Sequence, residues 1–564
     1  MVDRSNLRYC LAASGLLLLI LSVSTTGKII YVDDDASGAN DGSSWENACP
    51  CLQNALMGAQ QGDEILVAQG IYKPDRQLMT GRSARIVASG DRTVAFQLIG
   101  GVAIKGGYTG FNEPDPNARD ISLYETILSG DLNGDDVEVA DPCDLLIEPT
   151  RAENSYTVIT GSVDNCLLDG FTISGGNANG PMQTSPGAIT DPSEYGWGGG
   201  MHLFPSSVII TNCTFKNNAA SGGGGGIFSV SGSGPTLNNC IFTWNSGGSV
   251  VIEDSAPYGF GGGGGMYNQG NIPTLTDCSF IANFAPTDGG GLYNIDSNPE
   301  LTNCTLSMNF ASCAGGMYNS RCNATLTNCI FTANSAEGYG GGIESTQSNL
   351  TLTNCIFSGN LAYHGSLGSF GGGILSLGDD IIILTNCTFA YNSAQYGNAF
   401  CDYNLNPSDI KLINCILWDG EGAIWHHSWD PAYDSTITIT YSNIQGGWSG
   451  EGNIDIDPLF VNPGIWANVN DLNIIVDPND PNAVWIDGDY HLKSQAGRWD
   501  TESESWVIDD VTSSCIDAGD SMSSVEDEPE PNGGIINMGA YGGTTEASKS
   551  TFNCMYEMAV GREK

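Results

Sequence analysis

Positive charge is what this chain has least of. Against 64 aspartates and glutamates stand 19 lysines and arginines and 5 histidines, a formal net charge of −45. A chain this acidic is repelled by nucleic acid and by anionic membrane surfaces, which excludes both as partners. Charged residues are only 15% of the sequence while glycines number 75, a balance that favours turns and stacked strands over helices. Long apolar runs are nearly absent too. One, Leu11–Val23, follows Arg4 and Arg8 and leads into small residues at Ser24–Gly27. It suits the core of an export signal and is too short to span a bilayer, so residues 1–27 read as a signal peptide. Cys10 precedes that run, which argues against lipoprotein attachment, and the tail Ala559–Lys564 carries no sorting signal. A secreted or cell-surface protein without a transmembrane anchor is expected.

What the chain has is a repeat, written eight times between Thr211 and Cys415. Each copy places an apolar residue and two polar ones before a cysteine, then Phe or Leu, then x-x-Asn, then a glycine run closed by an apolar residue. One copy reads Leu301, Thr302, Asn303, Cys304, Thr305, Leu306 and Asn309, followed by Gly315, Gly316, Met317 and Tyr318. The cysteines fall at 213, 240, 278, 304, 329, 355, 387 and 415, most steps being 25 to 28 residues. A fixed period of this size means a solenoid whose repeats bury their apolar faces against one another.

Two solenoids fit the first half of the motif, since Leu301-x-x-Cys304-x-Leu306-x-x-Asn309 also satisfies the leucine-rich pattern. The second half decides. Runs such as Gly223–Gly226, Gly261–Gly265, Gly289–Gly291, Gly340–Gly342 and Gly371–Gly373 would cost a helix about 3 kcal/mol per repeat. Three short strands per coil, in an all-β right-handed parallel β-helix, are therefore expected. Alternation sends Cys304 and Leu306 inward and Thr305 outward. Two asparagine columns mark turns. One runs Asn218, Asn245, Asn283, Asn309, Asn334, Asn360, Asn392; the other runs Asn212, Asn239, Asn303, Asn328, Asn354, Asn386, Asn414 and is broken by Asp277. Both read as structural, because asparagine tolerates left-handed backbone and stacked amides bond from coil to coil. The Asn-x-Thr triplets within them are accordingly not read as glycan acceptors.

The glycine–apolar and Phe-x-x-Asn pairs resemble the repeats of chlamydial polymorphic outer-membrane proteins. Nearly the whole chain is similar to secreted β-helix proteins of planctomycete type, through Tyr31–Asp35, Gly42–Trp45, Gly62–Val67, Cys515–Asp520 and Asn537–Gly543. The resemblance implies an extracellular pectate-lyase-like fold and no particular activity. The chlamydial proteins end in a membrane barrel, and no such segment is read here.

Along the chain, residues 28–155 read as an N-terminal cap with the first coils, 156–445 as regular coils and 446–564 as a C-terminal closing region. Eighteen cysteines in an exported chain suggest disulfides, but the periodic ones read as a buried thiol column. Bridges are expected instead among Cys49, Cys51, Cys143, Cys313, Cys322, Cys401, Cys515 and Cys554, first of all between Cys313 and Cys322, which flank one glycine–apolar segment.

Sites on such a rod come from loops that leave it. The long coils 166–213, 240–278 and 355–387 carry extra residues before the glycine run, including Asp191, Glu194, Tyr195, Trp197, Glu253, Asp254, Tyr258, Phe260, His364 and Phe370. Coils 304–329 and 329–355 lack them and would form a groove between raised walls. Beside that edge an outward column reads His202, Phe228, Tyr267, Tyr293, Tyr318, Glu344, Leu375. At about 4.8 Å per coil its tyrosines and Phe228 form a ladder about 15 Å long, which either stabilises the stacked strands or packs against an extracellular polysaccharide or cell-surface glycan. With Trp197, His202 and Tyr258, these aromatics are the expected ligand-binding set.

Catalysis has two routes. A lyase needs a base and a counter-charge for a uronate, yet from 156 to 445 only Lys216, Arg321 and Lys411 are basic. Hydrolysis by two carboxylates is easier to staff, with Glu253, Asp254 and Glu344 as candidates. Asp131, Asn133, Asp135 and Asp136 resemble the start of a calcium loop, but the sixth position is Asp136 rather than glycine and the twelfth is Pro142. Asp33–Asp35 and Asp517 with Asp520 are similar suggestions, and His202, His364 and His426–His427 are weaker metal signals. The leading expectation is a glycan-binding or adhesive rod without catalysis of its own. A polysaccharide hydrolase comes second, and a self-assembling envelope component third.

Overall fold

The computed structural model describes residues 27–79, 85–180, 195–232, 234–253, 256–363, 368–404, 406–428 and 434–551. Their architecture is a right-handed parallel β-helix, the hand that parallel crossovers impose. Its coils have four faces rather than the expected three. In one coil the strands are Glu300–Thr302, Thr305–Ser307, Phe310–Cys313 and Met317–Ser320, and Asn323–Thr327 begins the next. Stacked, they form sheets of 13, 12, 7 and 11 strands, here the first to fourth sheets in coil order. The extra corner lies between the second and third sheets, at the interior asparagine column.

That column is a continuous amide ladder. Asn309 Nδ2 donates to Phe280 O in the coil before (2.9 Å) and to Asn334 Oδ1 in the coil after (2.9 Å). Its Oδ1 accepts from Asn283 N and Nδ2, both at 3.0 Å. Each buried amide is thus fully used, which fixes the corner in every coil. The second column is left-handed throughout, Asn303 at φ 53° and Asp277 at φ 53° alike.

Cys304 and Leu306 are buried, and Thr305 sits on the outer side. Rings at the Leu306 position stack nearly face to face, Phe242 on Phe280 at 4.5 Å and Phe331 on Phe357 at 4.8 Å. The glycine runs serve close approach. A Cβ on Gly290 would lie 2.6 Å from Phe310 O and from Gly315 O of the next coil. With no side chain between them, the third sheet and the start of the fourth meet in a tight corner.

Helix Leu52–Gly58 closes the N-terminal mouth, adding Leu52, Ala55 and Leu56 to the core. The C-terminal region folds back along the outside of the second sheet. There Phe460, Tyr490, Ile516 and Met538 pack on Ile356 and Ile416. Asn354 Nδ2 donates to Ala540 O (2.7 Å) and Gly542 O (2.8 Å), and Asn386 Nδ2 to Gly542 O (2.7 Å).

The expected Cys313–Cys322 bridge is absent, both thiols being free. Strand Met317–Ser320 separates them, a span of about 13 Å at 3.3 Å per residue, where a disulfide needs Cα atoms within about 7 Å. Cys49, Cys51, Cys143, Cys401 and Cys515 are free as well, and Cys554 lies outside the described residues. The periodic cysteines are buried, Cys304 Sγ donating to Thr302 O at 3.3 Å.

Candidate functional site

The corner between the third and fourth sheets carries two outward columns. One is the residue just before the left-handed position of each glycine run: Trp197, Gly223, Gly262, Asp288, Cys313, Tyr339, Phe370 and Tyr396, paired coil to coil. The other is the column foreseen from sequence, extended by Cys401 and Trp425. The described residues flanking the three long insertions lie at this corner. The second insertion is the antiparallel hairpin Ser249–Glu253 with Ala256–Phe260, which leans on strand Phe284–Asp288. Glu253 and Tyr258 are placed on that hairpin by their backbone alone. Asp254, Asp191, Glu194 and His364 lie outside the described residues, as does the export segment.

Side chains of the two columns touch across the corner. Trp197 packs on Phe228 at 4.6 Å and edge-on to Tyr267 at 5.6 Å, while Phe370 reaches Trp425 at 5.8 Å and Tyr396 reaches it at 4.9 Å. These contacts make two aromatic shoulders, one around Trp197, Phe228 and Tyr267 and one around Phe370, Tyr396 and Trp425. The column therefore points away from the core, as expected, but its N-terminal part is covered. His202 is 3% exposed and Phe228 0%. His202 stacks on Phe204 at 4.3 Å, and burial lowers its ring to about 4, holding it neutral.

Between the shoulders the column is half-buried and acidic. Tyr293 stacks on Tyr267 at 4.7 Å and Tyr318 on Tyr293 at 4.9 Å, so those rings spend their faces on each other. The stack ends at Tyr318, where Glu344 takes the next position. A second stack begins at Tyr339, with Phe370 at 5.7 Å and Tyr396 beyond it at 5.0 Å. Two ring faces thus turn toward a floor of Asp288, Cys313 and Glu344. Tyr339 is 37% exposed, whereas Glu344 is 4% exposed with Oε2 buried and unpartnered among the described residues. Burial, then the charges of Asp288 and Asp380, push the Glu344 carboxyl well above the carboxylate range. Burial pushes Asp288 up to about 6, with the Cys313 thiol acting the other way. Sequence reasoning missed Asp288, although its place one residue before a left-handed glycine is readable.

The basic residues of the coils are all engaged: Lys216 with Glu125 (3.3 Å), Arg321 with Asp296 (2.7 Å) and Lys411 with Asp409 (2.8 Å). His426 is held between Asp402 (2.7 Å) and Asp434 (2.6 Å), while His427 turns to the other face and stacks on Trp425 at 5.2 Å. Neither histidine joins a metal-ligand cluster among the described residues.

Of the calcium candidates, the structure brings Asp131 and Asp136 together with Glu153, which sequence reasoning missed, their ligand atoms lying within 4.8 Å of one another. Asn133 and Asp135 are exposed outside that group. Asp131 spends its carboxylate on the backbone N–H groups of Gly134, Asp135 and Asp136. Asp136 accepts from Arg151 (3.0 Å) and Asn154 (2.9 Å), and burial pushes it up to about 6. One oxygen each of Asp136 and Glu153 remains buried and unpartnered among the described residues, which fits a cation, while Arg151 already supplies positive charge there. Asp33–Asp35 form a second acidic group, whose Asp33 accepts from Asp35 N and Phe111 N.

A family model described as right handed beta helix region matches residues 119–259 and 194–368, and one described as disaggregatase related matches 462–519. Among solved structures the chain is similar to the pectate lyase Pel9A, at 12% identity over 92% of this chain and 96% of that one, with a TM-score of 0.37. It is also similar to a rhamnogalacturonan lyase, at 15% identity over 82% and 96%, with a TM-score of 0.34. A third is the DFA-IIIase of Arthrobacter chlorophenolicus A6, at 11% identity over 79% and 96%, with a TM-score of 0.36. No curated protein matches the chain.

Proposed function

We propose that this chain is a secreted or surface-held rod that binds an extended extracellular polysaccharide along the corner of its third and fourth sheets. The observation that carries the reading is the interruption of the aromatic stacks, which leaves the ring faces of Tyr318 and Tyr339 turned toward a polar floor. Aromatic bodies with a few placed polar groups suit a ring of C–H faces and hydroxyls. From Tyr267 to Trp425 the columns run six coils, about 29 Å, long enough for several sugar units. The ligand is a neutral glycan. The floor is acidic, and the three basic residues of the coils are paired, so a polyuronate meets repulsion.

The test is retention of the mature chain on immobilised neutral and acidic polysaccharides. Neutral glycans retain it, and Tyr318→Ala and Tyr339→Ala each lower retention at least about tenfold, with melting unchanged, as loss of a stacked ring implies. Equal retention by the variants refutes the placement. Self-association without retention on any glycan replaces the reading with a structural rod.

A further inference from the structure

The two carboxyls on the floor stand in a relation that the shoulders define. Trp197 meets Tyr267, two coils on in the facing column, and Phe370 meets Trp425, also two coils on. Asp288 lies on the same diagonal from Glu344: its coil carries Tyr293, the next Tyr318 and the next Glu344. Their backbones are offset by two coils, about 9.6 Å along the axis, with Cys313 in the coil between. Glu344 is nearly buried, and its Oε2 has no partner among the described residues. Such a group is costly to the fold and is left unexplained by packing. It lies next to Tyr318 in its column, where the ring stack ends.

From this geometry we infer that the site hydrolyses the neutral glycan it binds, with Glu344 as general acid and Asp288 as general base. Water loses a proton to Asp288 as its oxygen attacks the anomeric carbon. The bond from that carbon to the glycosidic oxygen breaks, and Glu344 gives its proton to the departing oxygen. The products are two shorter chains, one with a new reducing end, and no reactant other than water is consumed. Protonation states agree with these roles. Glu344 is held in its protonated form by burial beside Asp288 and Asp380, and Asp288, pushed up only to about 6, is ionised at neutral pH. Opposite demands on a pair of carboxyls are what such a reaction needs. Because water displaces the glycosidic oxygen directly, the anomeric configuration is inverted.

The inference rests on the binding reading, and one experiment separates the two. The mature chain is incubated with xylan and with a β-glucan, and retention and new reducing ends are measured together, with proton NMR of the first anomer released. The expected result is retention with reducing ends of inverted configuration. Glu344→Gln and Asp288→Asn each lower release at least about 100-fold while retention and melting persist. Retention without reducing ends overturns catalysis and leaves binding. Release that persists in both variants overturns the assignment, and neither retention nor release overturns both readings. A first anomer of retained configuration, measured on the unsubstituted chain, refutes direct displacement by water even if a variant fails to fold.

Discussion

Asp419 offers the sharpest test of how the coils are held. It occupies the position after Asn392 in the interior asparagine column. Its Oδ1 accepts from Asn392 N (2.7 Å) and Nδ2 (2.9 Å), as an asparagine oxygen does elsewhere in the column. Oδ2 is buried without a partner among the described residues, where other members have an amide donating to a carbonyl of the preceding coil. Burial pushes the carboxyl from the ordinary 3.8 up to about 7. At about 1.4 kcal/mol per tenfold, ionising it in place costs roughly 4 kcal/mol, of which about half survives relaxation of the site. Because the folded carboxyl holds its proton more tightly than the unfolded one, its contribution is fully present below 3.8 and lost as pH rises through about 7. Tyr391, the titratable side chain beside it, is itself raised above the usual tyrosine value and stays neutral in that window. Asp419→Asn keeps the acceptor and restores the missing donor. Its urea midpoint, followed by tryptophan fluorescence, is expected to match the parent's near pH 4. At pH 8 it should exceed the parent's by the equivalent of about 2 kcal/mol. A gain of the same size at both pH values, or a loss at pH 8, refutes the reasoning.

Three further outcomes are expected. Asn309→Ala removes an amide that serves three coils and should cost roughly 3 kcal/mol in denaturant midpoint, since Phe280 O and the Asn283 amide lose partners; a cost under about 1 kcal/mol would show the ladder to be ornamental. If calcium is held by Asp131, Asp136 and Glu153, calcium raises the melting temperature, chelator lowers it and Asp136→Asn removes the response; a transition indifferent to both removes the ion from the account. Titration of the denatured chain should return the same number of thiols with and without reductant, because the described cysteines are free, and a reductant-dependent increment would show a bridge after all.

The period made most of the fold legible. Apolar, cysteine and asparagine positions recur once per coil, and each column in space is a column in the sequence. The fourth strand was not legible, because the residues after Asn309 carry no motif and become a strand only through the amide ladder and the glycine run packed behind them. Proximity misled for Cys313 and Cys322, where a short sequence interval is an extended strand. Cover misled for His202 and Phe228. They point outward, but Trp197 of the preceding coil packs over Phe228, and Phe204, two residues on, packs over His202. Asp288 escaped notice because its column mixes tryptophan, glycine, acid, cysteine and tyrosine, so no repeated type draws attention to it.

Breaks in otherwise regular columns are where a functional residue is sought, provided packing does not already account for them. Asp277 interrupts the outer asparagines, yet it keeps the left-handed geometry and accepts from Asn303 Nδ2 at 3.0 Å, so the fold absorbs it. Leu306 interrupts the phenylalanines and remains wholly buried. Ala314 takes the place of a left-handed glycine at φ 55°. Its coil still closes, because the two following glycines keep the close approach. Glu344 shares with Asp419 a buried carboxyl with one oxygen unpartnered among the described residues, but it stands outside the core, in place of an aromatic ring and beside a second acid. A side chain such as Leu375, which follows it in the same column, would fill the position without that penalty. A cost of this kind, set where two ring stacks stop short of each other, is the observation on which the proposed site rests.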